Sequence, residues 1–344
     1  MKHALPKAIG TMLLGLGLLA TAPHALAGSP RQAAKELAAP QVTLIFGGDI
    51  MLDDGPGQTI AAGGDPLAPL ASLLSQADYR IGNLECPIAA SNVGTATASK
   101  IYNFRAHPDS VRVLKGRFDA LSVANNHSGD YGPAAFLETL RNVHESGIAS
   151  FGGGADLAQA HRPLWIRQNG LTIAVLGYNE FKPRSFEAGA QWPGIAWSED
   201  SHVITDIRAA RQAGADLVIP FMHWGWERET SPSKRQRQLA RTMIDAGADL
   251  VVGGHPHVTQ GTEYYRGKLI VYSLGNLVFD GFTSPTTTTG WLLRLTLDKQ
   301  GLKEWATRTV HMDDKGTPYP RPEDRSPCGK AGDAQAALCA NGAW

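Results

Sequence analysis

The sequence predicts a layered α/β domain, and three observations predict it. Strand-like and helix-like segments alternate along most of the chain. Several strand segments are apolar throughout, as expected where helices cover the faces of a sheet. Polar clusters recur at the C-terminal ends of those strands, the edge at which open α/β sheets bind ligands.

The pattern begins with QVTLIFGGD (41–49), a buried strand running into glycines. DPLAPLASLLSQA (65–77) has helical spacing, YRIGNLECPI (79–88) reads as a strand and turn, and SNVGTATASK (91–100) as a loop. HPDSVRVLKGR (107–117) reads as a helix, and FDALSVANNH (118–127) as a strand ending in polar residues. GPAAFLETLRNVHESG (132–147) is a patterned helix stopped at Gly147. IASFGGG (148–154) and LTIAVLGY (171–178) are strands, followed by a long aromatic-rich loop over 179–197. Two helix–strand pairs come next: 200–214 with ADLVIPFMHWG (215–225), and 231–247 with ADLVVGGHPH (248–257). KLIVYSLGNLVFD (268–280) and GWLLRLTLD (290–298) close the pattern, so the domain is placed at 41–312. Beyond it the composition turns to proline, glycine and charge from Pro318, and 313–344 reads as an appended tail.

Composition narrows the function classes. Lys plus Arg and Asp plus Glu are both 32, and no basic run occurs, so nucleic acid is not an expected partner. The first 27 residues combine a lysine-bearing start, an apolar stretch from Ile9 to Ala22 and the small-residue site Ala25-Leu26-Ala27. They read as a secretory signal cleaved near Ala27, with a linker over 28–40; an uncleaved anchor is the alternative. The mature chain is thus expected to be exported, periplasmic or extracellular. Cys328 and Cys339 could pair in an oxidising compartment, while Cys86 reads as a small buried residue.

Asp49, Glu85, Asn126, His223, His255 and His257 all fall at strand ends. Together they offer carboxylate, amide and imidazole donors, a mixture suited to zinc, manganese or iron. Alternation along an extended segment would point His255 and His257 to one side, with Pro256 stiffening the link. Taken singly, Asn126 could cap a helix and His223 could be a satisfied core histidine.

The stretches FGGDIML, IGNLECPI, YNFRAHP, FDALSVANNHSGDYG, GIASFGGGADLAQAHRPLWI, MHWGWE and RQLARTMIDAGADLVVGGHPHVTQGTEYYRGKLIVYSLGNLVF resemble the CapA family of poly-γ-glutamate capsule synthesis proteins. The resemblance runs from about Gln41 to about Val310. That family is similar to the calcineurin-like metallophosphoesterases, which implies a two-sheet α/β sandwich with a dinuclear metal site. By that resemblance Asp49, Glu85 and His257 would hold one divalent ion, and Glu85, Asn126, His223 and His255 a second, with Glu85 shared. His127 would protonate the leaving group, and Asp130 could orient it or simply cap the next helix. Phosphoesterases usually carry a histidine two residues after the first aspartate; here Met51 stands there. Arg105 could contact an anionic substrate, and Trp224 and Trp226 could wall a cleft or belong to the core. The implied partners are an anionic polymer or phosphoester substrate and a capsule-synthesis membrane complex. The rival reading is a non-catalytic polymer-binding or scaffold subunit.

Overall fold

A computed structural model describes residues 40–182 and 184–341 of the chain. The expected signal over 1–27 and most of the linker after it lie outside the described residues. Among those described, no helix is long and apolar enough to cross a membrane.

Two sheets pack face to face between helices. In the larger sheet the central strand Val42–Ile50 is flanked by Tyr79–Leu84 on one side and Thr289–Asp298 on the other. Ala120–Ser122 and Ala149–Phe151 continue it in parallel; Gly301–Met312 continues it antiparallel on the opposite side. The short strand Asn276–Val278 pairs in parallel with the end of the central strand. In the second sheet Leu171–Asn179, Leu217–His223, Leu250–Gly254 and Lys268–Leu274 run parallel. Its edges, Leu164–Gln168 and Thr259–Tyr265, are antiparallel.

Side-chain parity explains the apolar runs. Val42, Leu44 and Phe46 face the second sheet, whereas Ile45 faces the helices outside the first. Leu171, Ile173 and Val175 return the contact, while Ala174, Leu176 and Tyr178 meet the helices Asp200–Gln212 and Lys234–Ala246. The Lys234–Ala246 helix starts with a reciprocal Ser233–Gln236 capping box and ends at Gly247, where φ is 120°. The sequence thus writes a two-sheet α/β sandwich, the architecture that the phosphoesterase resemblance implies.

Some expectations need correction. The stretch read as a tail is built into the larger sheet: Pro318–Pro320 and Arg325–Lys330 pair with Gly301–Met312, and Ala337–Ala340 adds a further strand. A Cys328–Cys339 disulfide joins the last two strands. Prolines are tolerated there because the hairpin lies at the sheet edge. The expected helices at 65–77 and 107–117 shrink to single turns, Ala68–Leu70 with Ala71–Leu74 and Pro108–Ser110 with Val111–Leu114, each pair opening on a 3-10 turn with an early proline.

Candidate metal centre

Every polar cluster singled out in the sequence reaches the same edge of the sandwich. Asp49 ends the central strand, Glu85 follows Tyr79–Leu84, and Asn126 and His127 follow Ala120–Ser122. These come from the larger sheet. His223 ends Leu217–His223 in the second sheet, and His255 and His257 follow Leu250–Gly254. The two sheets therefore meet at this edge, and glycines let them. A Cβ on Gly254 would lie 2.8 Å from Asp49 Oδ1, and one on Gly48 would lie 1.9 Å from the Gly275 carbonyl.

The side chains form two triads that share Glu85. Ligand atoms of Asp49, Glu85 and His257 lie within 4.8 Å of one another, and so do those of Glu85, His223 and His255. Asn126 Oδ1 joins the second group, 2.6 Å from His223 Nε2, and His255 Nδ1 is 3.0 Å from the same nitrogen. All seven residues, His127 included, are buried. His255 and His257 do converge, but not by alternation along a strand. They sit in a turn with φ of 94° and 57°, the left-handed region that residues with a Cβ rarely occupy. Such strain concentrates at functional sites.

Three asparagines orient the donors. Asn83 donates to Asp49 Oδ1 at 2.8 Å and lies 3.2 Å from His223 Nδ1. Asn125 donates to Asn83 Oδ1 at 3.0 Å. Asn276 Oδ1 is 2.8 Å from His257 Nδ1, so we assign the proton to that nitrogen, which leaves Nε2 facing Glu85 Oε1 at 3.7 Å.

Burial dominates the electrostatics. It raises the Asp49 carboxyl above its ordinary range and Glu85 well above, the latter pushed further by Asp49. It lowers His223 and His255 well below the usual imidazole value, assisted by neighbouring histidines. Glu85 Oε1 and His255 Nε2 are buried with no hydrogen-bond partner. Unpartnered buried acceptors of this kind, in a carboxylate–imidazole–amide set, fit divalent cations.

The family model for bacterial capsule synthesis protein PGA_cap matches residues 43–281. The chain belongs to this family. The PGA biosynthesis protein CapA of Bacillus subtilis is 37% identical over 72% of this chain and 64% of its own length. The capsule biosynthesis protein CapA of Bacillus anthracis is 31% identical over 80% of this chain and 65% of its own length. The chain thus spans just under two thirds of these relatives. A crystal structure of a hypothetical protein from Thermus thermophilus shares the fold, with a TM-score of 0.51 at 15% identity, covering 78% of this chain and 99% of that one.

Within this PGA_cap chain the other expected residues divide. His127 lines the mouth of the site, and its Nδ1 is 2.8 Å from Asp130 Oδ2. Asp130 thus touches His127 and caps no helix; burial lowers the His127 imidazole against the opposing pull of Asp130. Arg105 is not among the residues lining the mouth and instead lines a neighbouring cavity with Asp53 and Asp54. Its guanidinium stacks 4.1 Å over Tyr131 and donates to the Val93 carbonyl. Met51 is wholly buried among core side chains, so nothing takes the place of the missing histidine there. Trp224 is core, donating to the Tyr272 carbonyl, whereas Trp226 is exposed against Phe181. Cys86 is buried, with its thiol pushed up by burial.

Four contributors escaped the sequence reading. Asn83 and Asn276 hold ligands, Arg228 lines the mouth, and Lys100 reaches His127 from the loop before Ile101. Asn83 stood inside the quoted IGNLE motif, as Asn276 did in SLGN, and a polar residue within an apolar strand is the signal that marks both. The loop around Lys100 carries no periodicity from which its reach could be read. The mouth is a cavity of about 110 Å³ lined by Tyr102, Phe104, Phe279 and Phe282 and also by Asp54, Glu227 and Asp280 beside Arg228.

Proposed function

We propose that this chain is an exported, metal-dependent hydrolase of the phosphoesterase type, serving capsule or poly-γ-glutamate-like polymer production. The observation that carries the reading is Glu85, shared between two buried triads beside a His127–Asp130 pair. The residues fit a pair of divalent ions: Asp49, Glu85 and His257 would hold one, and Glu85, Asn126, His223 and His255 the other. Such ions supply Lewis acidity and make water at the site easier to ionise.

The chain's own residues do the rest. The small aromatic mouth limits how much of a substrate enters and keeps bulk water back. Asp130 holds His127 in one orientation, so that its Nε2 is free to move a proton to or from a reacting atom. Export is supported by the leader-like N-terminus and by the Cys328–Cys339 disulfide, since such bonds persist in oxidising compartments. The resemblance to capsule proteins supports an anionic polymer or phosphoester as substrate and a membrane synthesis complex as partner.

One observation favours a scaffold role instead. Met51 leaves the Asp49 set with three protein donors, so an ion there would be held by fewer groups than one in the Glu85, Asn126, His223 and His255 set. Metal analysis with a phosphodiester and γ-glutamyl polymer assay, manganese added, separates the two. We expect turnover in the wild type and its loss in His127→Ala with metal content retained. Metal bound by the wild type without turnover of any ester or amide would favour the scaffold.

A further inference from the structure

We propose that Lys100 is a positioning residue for proton transfer by His127, and that the site is fitted to a substrate whose leaving atom is basic, an alkoxide oxygen or an amine nitrogen. The proposal rests on the hydrolase reading above and deepens it.

Asp130 is wholly buried and accepts from three donors. Lys100 Nζ pairs with Oδ1, while the Phe104 N–H and His127 Nδ1 both meet Oδ2 at 2.8 Å. Lys100 also donates to the Asn126 carbonyl at 2.9 Å and lies 3.1 Å from His127 Nδ1. Its side chain is 14% exposed, a position a lysine takes only when paired. One ammonium thus spans two consecutive residues with different jobs. Asn126 directs Oδ1 toward His223 on the ion side, and His127 directs its ring toward the mouth.

The contacts assign the tautomer. Nδ1 meets two groups of opposite demand: the Asp130 carboxylate at 2.8 Å favours a proton there, and the Lys100 ammonium at 3.1 Å favours a lone pair. The shorter contact, to a charged acceptor, decides it, and we assign the proton to Nδ1. Lys100 holds the carboxylate in that pose, and Nε2 remains the exchangeable position on the cavity. Packing of Phe104 against the imidazole, 4.6 Å between centroids, restrains the ring further. A mere staple for the loop is not needed. Thr97 already binds the Gly129 and Asp130 carbonyls, and Asn103 binds the Thr97 and Lys100 carbonyls.

In the step so served, a water oxygen bonds to the electrophilic centre. The bond to the leaving atom breaks, its electron pair stays on that atom, and the atom takes the Nε2 proton. The proton lost by the attacking water returns to Nε2 through solvent, so one water is consumed. A leaving group that departs as a stable anion gains little from this device; a basic one gains the factor of roughly 10²–10⁴ typical of positioned proton donors.

The test compares wild type, Lys100→Met and Lys100→Arg in the full-length, zinc-loaded chain. We expect Lys100→Met to keep its metal and its KM while kcat falls about 100-fold on an alkyl ester and less than about 5-fold on a p-nitrophenyl ester. Lys100→Arg should recover most of the loss. Equal losses on both esters, or a change confined to KM, would overturn the proposal. A second readout needs no turnover: the ¹⁵N-correlated spectrum of the His127 imidazole should show a Nδ1–H in wild type that is lost or averaged in Lys100→Met. If the wild type turns over no ester or amide, the hydrolase reading falls by itself, and an imidazole spectrum unchanged by Lys100→Met sinks this inference separately.

Discussion

His255 adopts φ of 94° and keeps its side chain on the site. A residue with a Cβ pays about 1–2 kcal/mol for the left-handed region, and glycine does not. In the metal-free protein His255→Gly should therefore be more stable than His255→Ala by about 1 kcal/mol, read from urea midpoints at equal slope. Equal midpoints would show that the turn is relaxed. The same small region sets a proton balance. Burial favours the neutral form of His223 and His255, so they give up fewer protons on metal loading than ordinary imidazoles would. Asp49 and Glu85 are shifted the other way and hold protons to higher pH than ordinary carboxyls. Zinc binding should thus release protons from the carboxyls and tighten as pH rises through their raised titration range. Calorimetric titration in two buffers of different ionisation enthalpy counts them; net proton uptake would contradict the assignment.

At the scale of elements, the strands that were easiest to read are those buried on both faces. Leu171–Asn179 and Leu250–Gly254 send alternate side chains to the facing sheet and to the helices, so neither side needs polar residues. Gly301–Met312 was illegible for the opposite reason. Lys303 and Glu304 interrupt it because that end of the strand reaches solvent. The ligand clusters were legible because their residue types are out of place after apolar runs. Lys100 was not, since a loop residue gives no sign of which buried acid it will reach. The direction of Arg105 was not legible either, since a charge beside a motif does not say which way it turns; its guanidinium lies over Tyr131. The glycines before the ligands carry a prediction of their own. Gly254→Ala places a methyl 2.8 Å from Asp49 Oδ1, and overpacking of this kind costs about 1–3 kcal/mol. It should weaken zinc binding at the Asp49 triad at least about tenfold while the far-ultraviolet circular dichroism stays native. Undiminished zinc affinity would mean that the two sheets can part without disturbing Asp49.

For the whole molecule, the C-terminal hairpin belongs to the stability of the domain. Its strands cover the edge of Gly301–Met312, and Ser326 donates to the Thr307 carbonyl at 2.7 Å. Cys328 and Cys339 are 11 residues apart, and closing so short a loop is worth roughly 2–3 kcal/mol. Cys339→Ala should lower unfolding stability by that amount without altering metal content, since the hairpin contributes no donor. A loss of bound metal in this variant would place the hairpin in the site after all.

The order of strands across the larger sheet has a temporal meaning. Val42–Ile50 gains one neighbour early, from Tyr79–Leu84, but its other long neighbour begins only at Thr289. Between them the chain must lay down the entire second sheet. Pairings so distant in sequence form slowly. Asp49 itself is flanked by Asn83 and Asn276, so its second neighbour also arrives only after the second sheet has been laid down. A cation that needs donors from both sheets would find its full set only on the finished sandwich, as a seal and not a seed.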